Sequence, residues 1–154
     1  LAKNFAIGKD NALLCHIPGD LKRFKELTLN HNVIMGRRTF ESLPYGPLPK
    51  RKNIVISDIP EDFIEGCFIA ESIEEAFELA KNENEVFVIG GGSIYRQTID
   101  KADRLYLTWI NAELEGDTFF PEIDLNDWKE TFREDHEANS ECPYSYSFVN
   151  YERK

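Results

Sequence analysis

The sequence predicts an α/β chain with a mostly parallel central sheet, flanking helices and an antiparallel C-terminal edge. Three observations predict it. Short β-rich runs alternate with helical periodicity along most of the chain. The runs Asn32–Met35, Asn53–Ser57 and Val86–Ile89 are almost wholly apolar, as strands covered on both faces are. Near the end, Trp128–Asp135 and Tyr144–Tyr151 follow one another as a strand pair, the second alternating Tyr144, Tyr146 and Phe148 with Ser145 and Ser147.

In chain order, Asp20–Thr28 reads as a helix opened by Pro18-Gly19-Asp20. Strand Asn32–Met35 runs into a short helix over Arg37–Leu43, and strands Asn53–Ser57 and Cys67–Ala70 follow. Ser72, with Glu75 three residues on, forms a capping box before Ile73, Ala76, Phe77 and Ala80. Strand Val86–Ile89, helix Ser93–Lys101 and strand Arg104–Ile110 complete the alternation. No repeat, low-complexity tract or linker-like run interrupts it, so one domain over 1–154 is expected.

The 154 residues are 42% hydrophobic, enough for one core, and carry a net charge of −10. That balance argues against a nucleic-acid partner, which calls for a surplus of Lys and Arg. No apolar run approaches the ~20 residues of a membrane span, and no charged-then-apolar leader opens the chain. Cys15, Cys67 and Cys142 suggest no disulfide framework, and His16, His31 and His136 are too scattered for a metal site. A soluble, cytoplasmic protein without membrane or metal is expected. The charge is unevenly placed: Lys22–Lys52 carries +6, leaving −16 for the remainder. Such clustering fits either a solvated face or a locally built anion site.

Two segments share one arrangement, a buried strand, then glycine, then a helix: Val33–Phe40 and Val86–Tyr95. Helix N-termini present free N–H groups to phosphate, and glycine admits close approach; taken singly, each glycine is more often a turn residue than a phosphate cradle. The GGG run is not the GxGxxG fingerprint. At 100° per residue, Phe24 lies about 40° and Leu27 about 20° from Asp20, so one carboxylate shares an apolar stripe. It serves either to start the helix or to hold a ligand with paired N–H donors. Arg51 follows a Pro-rich loop and is either a solvated basic residue or a two-pronged carboxylate clamp.

FAIGKDNALLCHIPGDLKRFKELT, at Phe5–Thr28, resembles the opening signature of dihydrofolate reductases. VIMGRRTFES, LPKRKNIVIS, VFVIGGGSIYRQ, LYLTWI and EGDTFFP are similar to the family's later blocks, in the same order. The resemblance covers essentially the whole chain. It implies a mostly parallel eight-stranded sheet flanked by helices and NADPH-dependent reduction of dihydrofolate, with antifolates as inhibitors and a monomer as the expected state.

Matched position by position, the resemblance implies that Asp20 anchors the pterin, with Thr108 supporting that contact. Leu21, Phe24, Leu43, Leu48 and Ile54 fall on apolar walls, and Arg51 on the clamp for the glutamate carboxylate. Ile7, Gly8 and Lys9 through Leu14 fall on a mobile lid, Leu13 over the nicotinamide, and Asp117 on a residue that pins the lid. Cofactor contacts fall on Gly36, Arg37, Arg38, Thr39, Ser57, Asp58, Gly90, Gly91, Gly92, Ser93, Ile94, Tyr95 and Gln97. Ile89 and Tyr95 fall where nicotinamide and pterin meet.

Three departures stand out. Cys15 occupies a position where the family usually carries tryptophan. Asp58 and Ser93 stand where residues suited to a ribose 2′-phosphate are common, which implies a reduced preference for NADPH over NADH. Leu1-Ala2 match only the end of the family's first strand, so an incomplete N-terminus is expected. Two other readings stay open: the riboflavin-pathway reductase of the same fold, and an inactive ligand-binding module.

Overall fold

The structure, a computed structural model, describes residues 1–9, 12–13, 16–59 and 61–154, with the backbone alone at 12 and 13. Strands β1 (Ala6–Lys9) and β2 (Ala12–Leu13) precede helix α1 (Asp20–Thr28). Then come β3 (Asn32–Gly36), α2 (Arg37–Glu41), β4 (Lys52–Ile56), β5 (Cys67–Ala70), α3 (Ile73–Leu79), β6 (Val86–Val88) and α4 (Gly92–Thr98). A 3₁₀ turn over Ile99–Lys101 leads to β7 (Arg104–Ile110), β8 (Thr118–Phe119), β9 (Trp128–His136) and β10 (Tyr146–Arg153). The chain forms two compact units, residues 22–98, and residues 1–21 together with 99–154.

In the unit over 22–98, four strands pair in parallel in the order β5-β4-β3-β6. Alternation sorts their side chains onto two buried faces. Ile34 and Ile54 pack with Ala70, Ala76 and Ala80 on one side. Val33, Met35 and Val55 lie on the other, against Phe40, Leu43, Leu48 and Ile89. Burial on both faces accounts for the unbroken apolar runs in the sequence. Parallel pairing also brings all four carboxyl ends to one edge. That edge is laced by Gly36 N–H to the Gly90 carbonyl at 2.8 Å, Ile89 N–H to Ile34 at 2.9 Å and Ser57 N–H to Ala70 at 2.9 Å.

The other unit is antiparallel. β10 pairs with β7 on one side and β9 on the other, and the register against β9 shifts between Asn150 and Tyr151. Ala2 bridges Ile110 in parallel beside β7. A second, smaller sheet runs β2-β1-β8. Ile17, Ile110, Cys142, Tyr146 and Phe148 form a buried cluster here. Among the described residues, no helix is long and apolar enough to cross a membrane.

Most predicted elements recur with shifted ends. Helix Arg37–Leu43 stops at Glu41, two residues before Leu43, whose αR conformation the following Pro44 disfavours. The predicted helix over Ser93–Lys101 starts one residue earlier and tightens to 3₁₀ after Thr98. The last strand is displaced from Tyr144–Tyr151 to Tyr146–Arg153. Strands β1, β2 and β8 were not anticipated.

The predicted capping box at α3 forms on its Ser72 side only. Ser72 Oγ accepts the Glu75 N–H at 3.1 Å, while Glu75 Oε2 reaches back to the Glu71 N–H, one residue beyond the usual partner, at 3.0 Å. Replacing Ser72 by Ala leaves a helix-end donor unpaired and is expected to cost about 1 kcal/mol. Thermal unfolding should then begin about 3 °C lower; an unchanged midpoint would refute the assignment.

Candidate active site

In the unit holding residues 1–21 and 99–154, Gly19 turns the chain at φ +80°, a conformation that favours glycine, and Asp20 follows as the first residue of α1. The Asp20 N–H closes the turn on the Ile17 carbonyl at 3.1 Å. Its carboxylate takes a longer-range contact: Thr108 Oγ1 donates to Asp20 Oδ1 at 2.6 Å across 88 positions of chain. Thr108 stands in register opposite Phe148 of β10, so the β7–β10 ladder sets the hydroxyl's position. Among the described residues nothing hydrogen-bonds Oδ2. A half-buried carboxylate with one oxygen held and the other open suits a ligand that offers two N–H groups side by side.

In the unit over 22–98, Arg51 is held by its own surroundings. Nε donates to the Pro49 carbonyl and Nη1 to Thr28 Oγ1, each at 3.0 Å. Thr28 Oγ1 in turn donates to the Phe24 carbonyl at 2.8 Å, and the guanidinium carbon lies 6.0 Å from the Phe24 ring centroid. Burial lowers the Arg51 pKa, yet a guanidinium keeps its charge. Nη2 bonds nothing among the described residues, so one prong faces no protein acceptor. Leu43 and Leu48 share the sheet face of Val33, Met35 and Val55.

Ile54 requires correction. The resemblance put it among the apolar walls beside Leu43 and Leu48, but it is 0% exposed and packs on the opposite face against Ala70, Ala76 and Ala80. Neighbouring residues of a strand point to opposite faces, so Val55, not Ile54, shares the face of those leucines. Leu21, by contrast, is 69% exposed.

The carboxyl edge of the parallel sheet gathers the glycines. Gly36 caps α2 without any side-chain hydrogen bond to the helix's free N–H groups. A Cβ at Gly36 would sit 3.1 Å from Ile94 Cγ1, so Ile94 is buried beneath that turn. Gly90 has φ +125°, and a Cβ there would lie in ordinary contact with the Tyr95 hydroxyl at 3.4 Å and Thr39 Oγ1 at 3.5 Å; a Cβ at Gly91 would touch the same Thr39 oxygen. The peptide between Gly90 and Gly91 is cis. Gly92 is buried at the start of α4, Ser93 is exposed, and Gln97 Nε2 bonds back to Ser93 Oγ at 3.1 Å.

The basic residues of this edge divide by use. Arg37 Nη1 donates to Asp62 Oδ2 at 2.7 Å and Nε to Glu41 Oε1 at 3.2 Å. Arg38 is exposed and makes no ion pair among the described residues. Ser57 is buried, its hydroxyl donating to Asp62 Oδ2 at 2.7 Å and accepting from the Ile59 N–H at 3.2 Å. Asp58 is exposed and lines a cavity of about 320 Å³ with Ser57, Ile59 and Glu71. Asp62 and Glu71 were missed in the sequence; a single acid in a loop carries no spacing signal that marks its partner.

Of the lid positions, Ile7 and Gly8 lie in β1, and Gly8 pairs with Leu13 of β2 through the backbone. Asp117 meets Gly8 through its backbone N–H at 2.9 Å rather than its carboxylate, which accepts from Thr118 Oγ1 at 3.1 Å. Lys9 and Glu115 add an exposed ion pair at 2.8 Å. Asp10, Asn11, Leu14 and Cys15 lie outside the described residues. Among the described residues, no His/Cys/Asp/Glu group is placed to hold a metal ion.

A family model described as "Dihydrofolate reductase" matches residues 1–153. A dihydrofolate reductase of Bacillus subtilis is 44% identical over 151 residues, 98% of this chain and 89% of its own length. The type 3 dihydrofolate reductase of Salmonella typhimurium is 45% identical over 154 residues, 100% of this chain and 94% of its own. A solved dihydrofolate reductase from Enterococcus faecalis, complexed with NADP(H) and RAB-propyl, superposes with a TM-score of 0.87 at 36% identity, covering 99% of this chain and 92% of that one. A parallel sheet with antiparallel C-terminal strands and four helices is the architecture of that family. The chain belongs to the dihydrofolate reductase family, bacterial type.

Proposed function

We propose that the NADPH-dependent reduction of dihydrofolate to tetrahydrofolate, the activity of this family, is carried in this chain by Asp20 with Thr108, by Arg51, and by the glycine-lined sheet edge. The observation that supports the reading most is the Thr108–Asp20 hydrogen bond at 2.6 Å. It fixes the carboxylate through one lone pair of Oδ1 and leaves the second lone pair of Oδ1 and all of Oδ2 for the pterin's 2-amino group and N3–H, one donor to each oxygen. Asp20 thereby anchors and polarises the pterin. It contacts the ring away from N5, so the proton that N5 requires comes from water.

The sheet edge fits a dinucleotide. The N–H groups of α2 have no side-chain cap, Gly90 turns the chain at a φ of +125°, and Arg38 is unpaired among the described residues. Gly36, Arg38, Thr39 and Gly90–Tyr95 would hold the cofactor, Ile89 and Tyr95 at its nicotinamide end. When bound, NADPH supplies the hydride that C6 of the pterin receives. The protein's own contribution is alignment and exclusion of water. Ile7, Gly8 and Leu13 belong to the covering lid, and the Asp117 backbone bond to Gly8 braces it.

Arg51 would take the α-carboxylate of the substrate's glutamate, with Phe24, Leu43 and Leu48 as apolar walls. A cytoplasmic setting and a monomeric state are the expectations that go with this reading.

Asp20→Asn should lower turnover near neutral pH at least about a hundredfold while NADPH binding, followed by fluorescence, stays near that of the parent. Unchanged reduction of dihydrofolate by that variant would sink the assignment. Arg51→Lys loses the planar fork, so KM for dihydrofolate should rise about tenfold or more while turnover of a dihydropterin lacking the glutamate tail hardly changes. An equal loss on both substrates would show that Arg51 acts through the fold instead.

A further inference from the structure

The face of the β7–β10 pair that presents Thr108 also seats the chain just before Asp20. Residues directly opposite in an antiparallel pair share a face, as do residues two apart along a strand. Thr108 stands opposite Phe148, and Ile110 opposite Tyr146, so these side chains lie on one face. Ile17 is buried there against Ile110, Cys142, Tyr146 and Phe148. Asp20 reaches the same face through Thr108 Oγ1 at 2.6 Å. The segment Ile17–Asp20 is thus seated on the sheet at both ends.

Between those seats the chain makes a β-turn, closed by the Asp20 N–H on the Ile17 carbonyl at 3.1 Å. Pro18 in its second position and Gly19 in its third, with φ +80°, make the turn type II. Types I and II differ by a flip of the central peptide, here Pro18–Gly19, and proline in the second position allows either. The direction of the Pro18 carbonyl therefore distinguishes the two turns, and that carbonyl accepts from the Tyr146 hydroxyl at 3.5 Å. Burial, with Cys142 alongside, pushes the Tyr146 phenol above its ordinary pKa, so it keeps the proton it donates. The ring is gripped too, stacked on His136 at 4.9 Å and edge-on to Phe148 at 5.7 Å, while His136 meets Glu134 at 2.5 Å.

We infer that Tyr146 is a positioning residue for the reaction: its hydroxyl holds the Pro18 carbonyl, and with it the Ile17–Asp20 turn, in the arrangement that keeps the Asp20 carboxylate aligned on Thr108. The inference rests on the role proposed for Asp20 above. Tyr146 acts through the turn and not on the pterin itself. Without the hydroxyl the central peptide is free to flip, and the Thr108 bond alone must place the carboxylate.

Tyr146→Phe removes the hydroxyl and keeps the buried ring, and fluorescence titration of the whole chain with folate and with NADPH, separately, reads the effect. The Pro18 contact is long for an O–H···O bond, so folate should bind about two- to fivefold more weakly while NADPH binds as in the parent. In an Asp20→Asn background the same substitution should leave folate binding unchanged, because the carboxylate it positions is gone. Gly19 provides an independent arm: a Cβ there would meet nothing, so a substitution acts through φ alone. Gly19→Ala should weaken folate at least as much as Tyr146→Phe, whereas Gly19→Asn, which tolerates a positive φ, should keep most of the affinity. The inference is overturned if Tyr146→Phe binds folate as the parent does, loses folate and NADPH equally, or loses as much folate affinity in the Asp20→Asn background. Gly19→Ala and Gly19→Asn variants that behave alike overturn it too, and in each of these cases the proposed function stands. An Asp20→Asn chain that binds folate as the parent does overturns the role of Asp20, and this inference with it.

Discussion

Parallel pairing of four short apolar strands is the constraint on which the unit over residues 22–98 depends. Parallel strands all finish at the same edge, and each must there turn into a loop or helix. Gly36, Ser57, Glu71 and Ile89 consequently emerge together, although they are spread along more than 50 residues of sequence. The bonds Gly36 to Gly90, Ser57 to Ala70 and Ile89 to Ile34 continue the sheet past its last regular pairs. Gly90 holds φ +125°, a conformation that side-chain-bearing residues rarely adopt, so the turn at that edge is a property of the backbone as much as of the residues around it.

Asp20 and Arg51, each within its own unit, are positioned by different means. Asp20 sits at a helix start, where a carboxylate also complements the helix dipole, and that role alone would account for its presence. Thr108 changes the balance. Its hydroxyl is delivered by an antiparallel ladder 88 residues away, and a helix-start acid has no need of such a partner. Arg51 shows the same design by shorter connections, with Pro49 and Thr28 aiming the guanidinium before any ligand arrives. In both places the protein orients a charged group and leaves part of its hydrogen-bonding capacity unused, which lowers the cost of ordering it on binding.

How far the sequence could be read depended on how local the determining signal is. Helix Asp20–Thr28 and strand Arg104–Ile110 were legible to the residue, because a Pro-Gly-Asp start and a seven-residue β-rich run are each self-contained. β2 and β8 are two residues long, too short for any periodicity, and exist only through their pairing with β1. Ile54 was misplaced by one residue's parity: its apolar character was correctly read, but only the register against β3 and β5 shows which face it takes. Asp62 was invisible because its value lies in Arg37, 25 positions distant, and loops give no spacing from which to infer such a partner.

Charge followed the same rule. The +6 stretch from Lys22 to Lys52 identified the basic half of the chain but not which cations are available to a ligand. Lys52 donates to the Leu79 carbonyl at 2.8 Å and lies over Phe68, so it serves packing of the sheet. Arg37 is bound into an acid pair, and only Arg38 and part of Arg51 stay open among the named anion contacts. An electrostatic site is therefore defined by the charges left over after the fold has taken its share. Around Asp58 and Glu71, which lie beyond the positive stretch, that remainder is negative. The same α/β edge thus carries a helix start without a side-chain cap and, one strand away, two carboxylates.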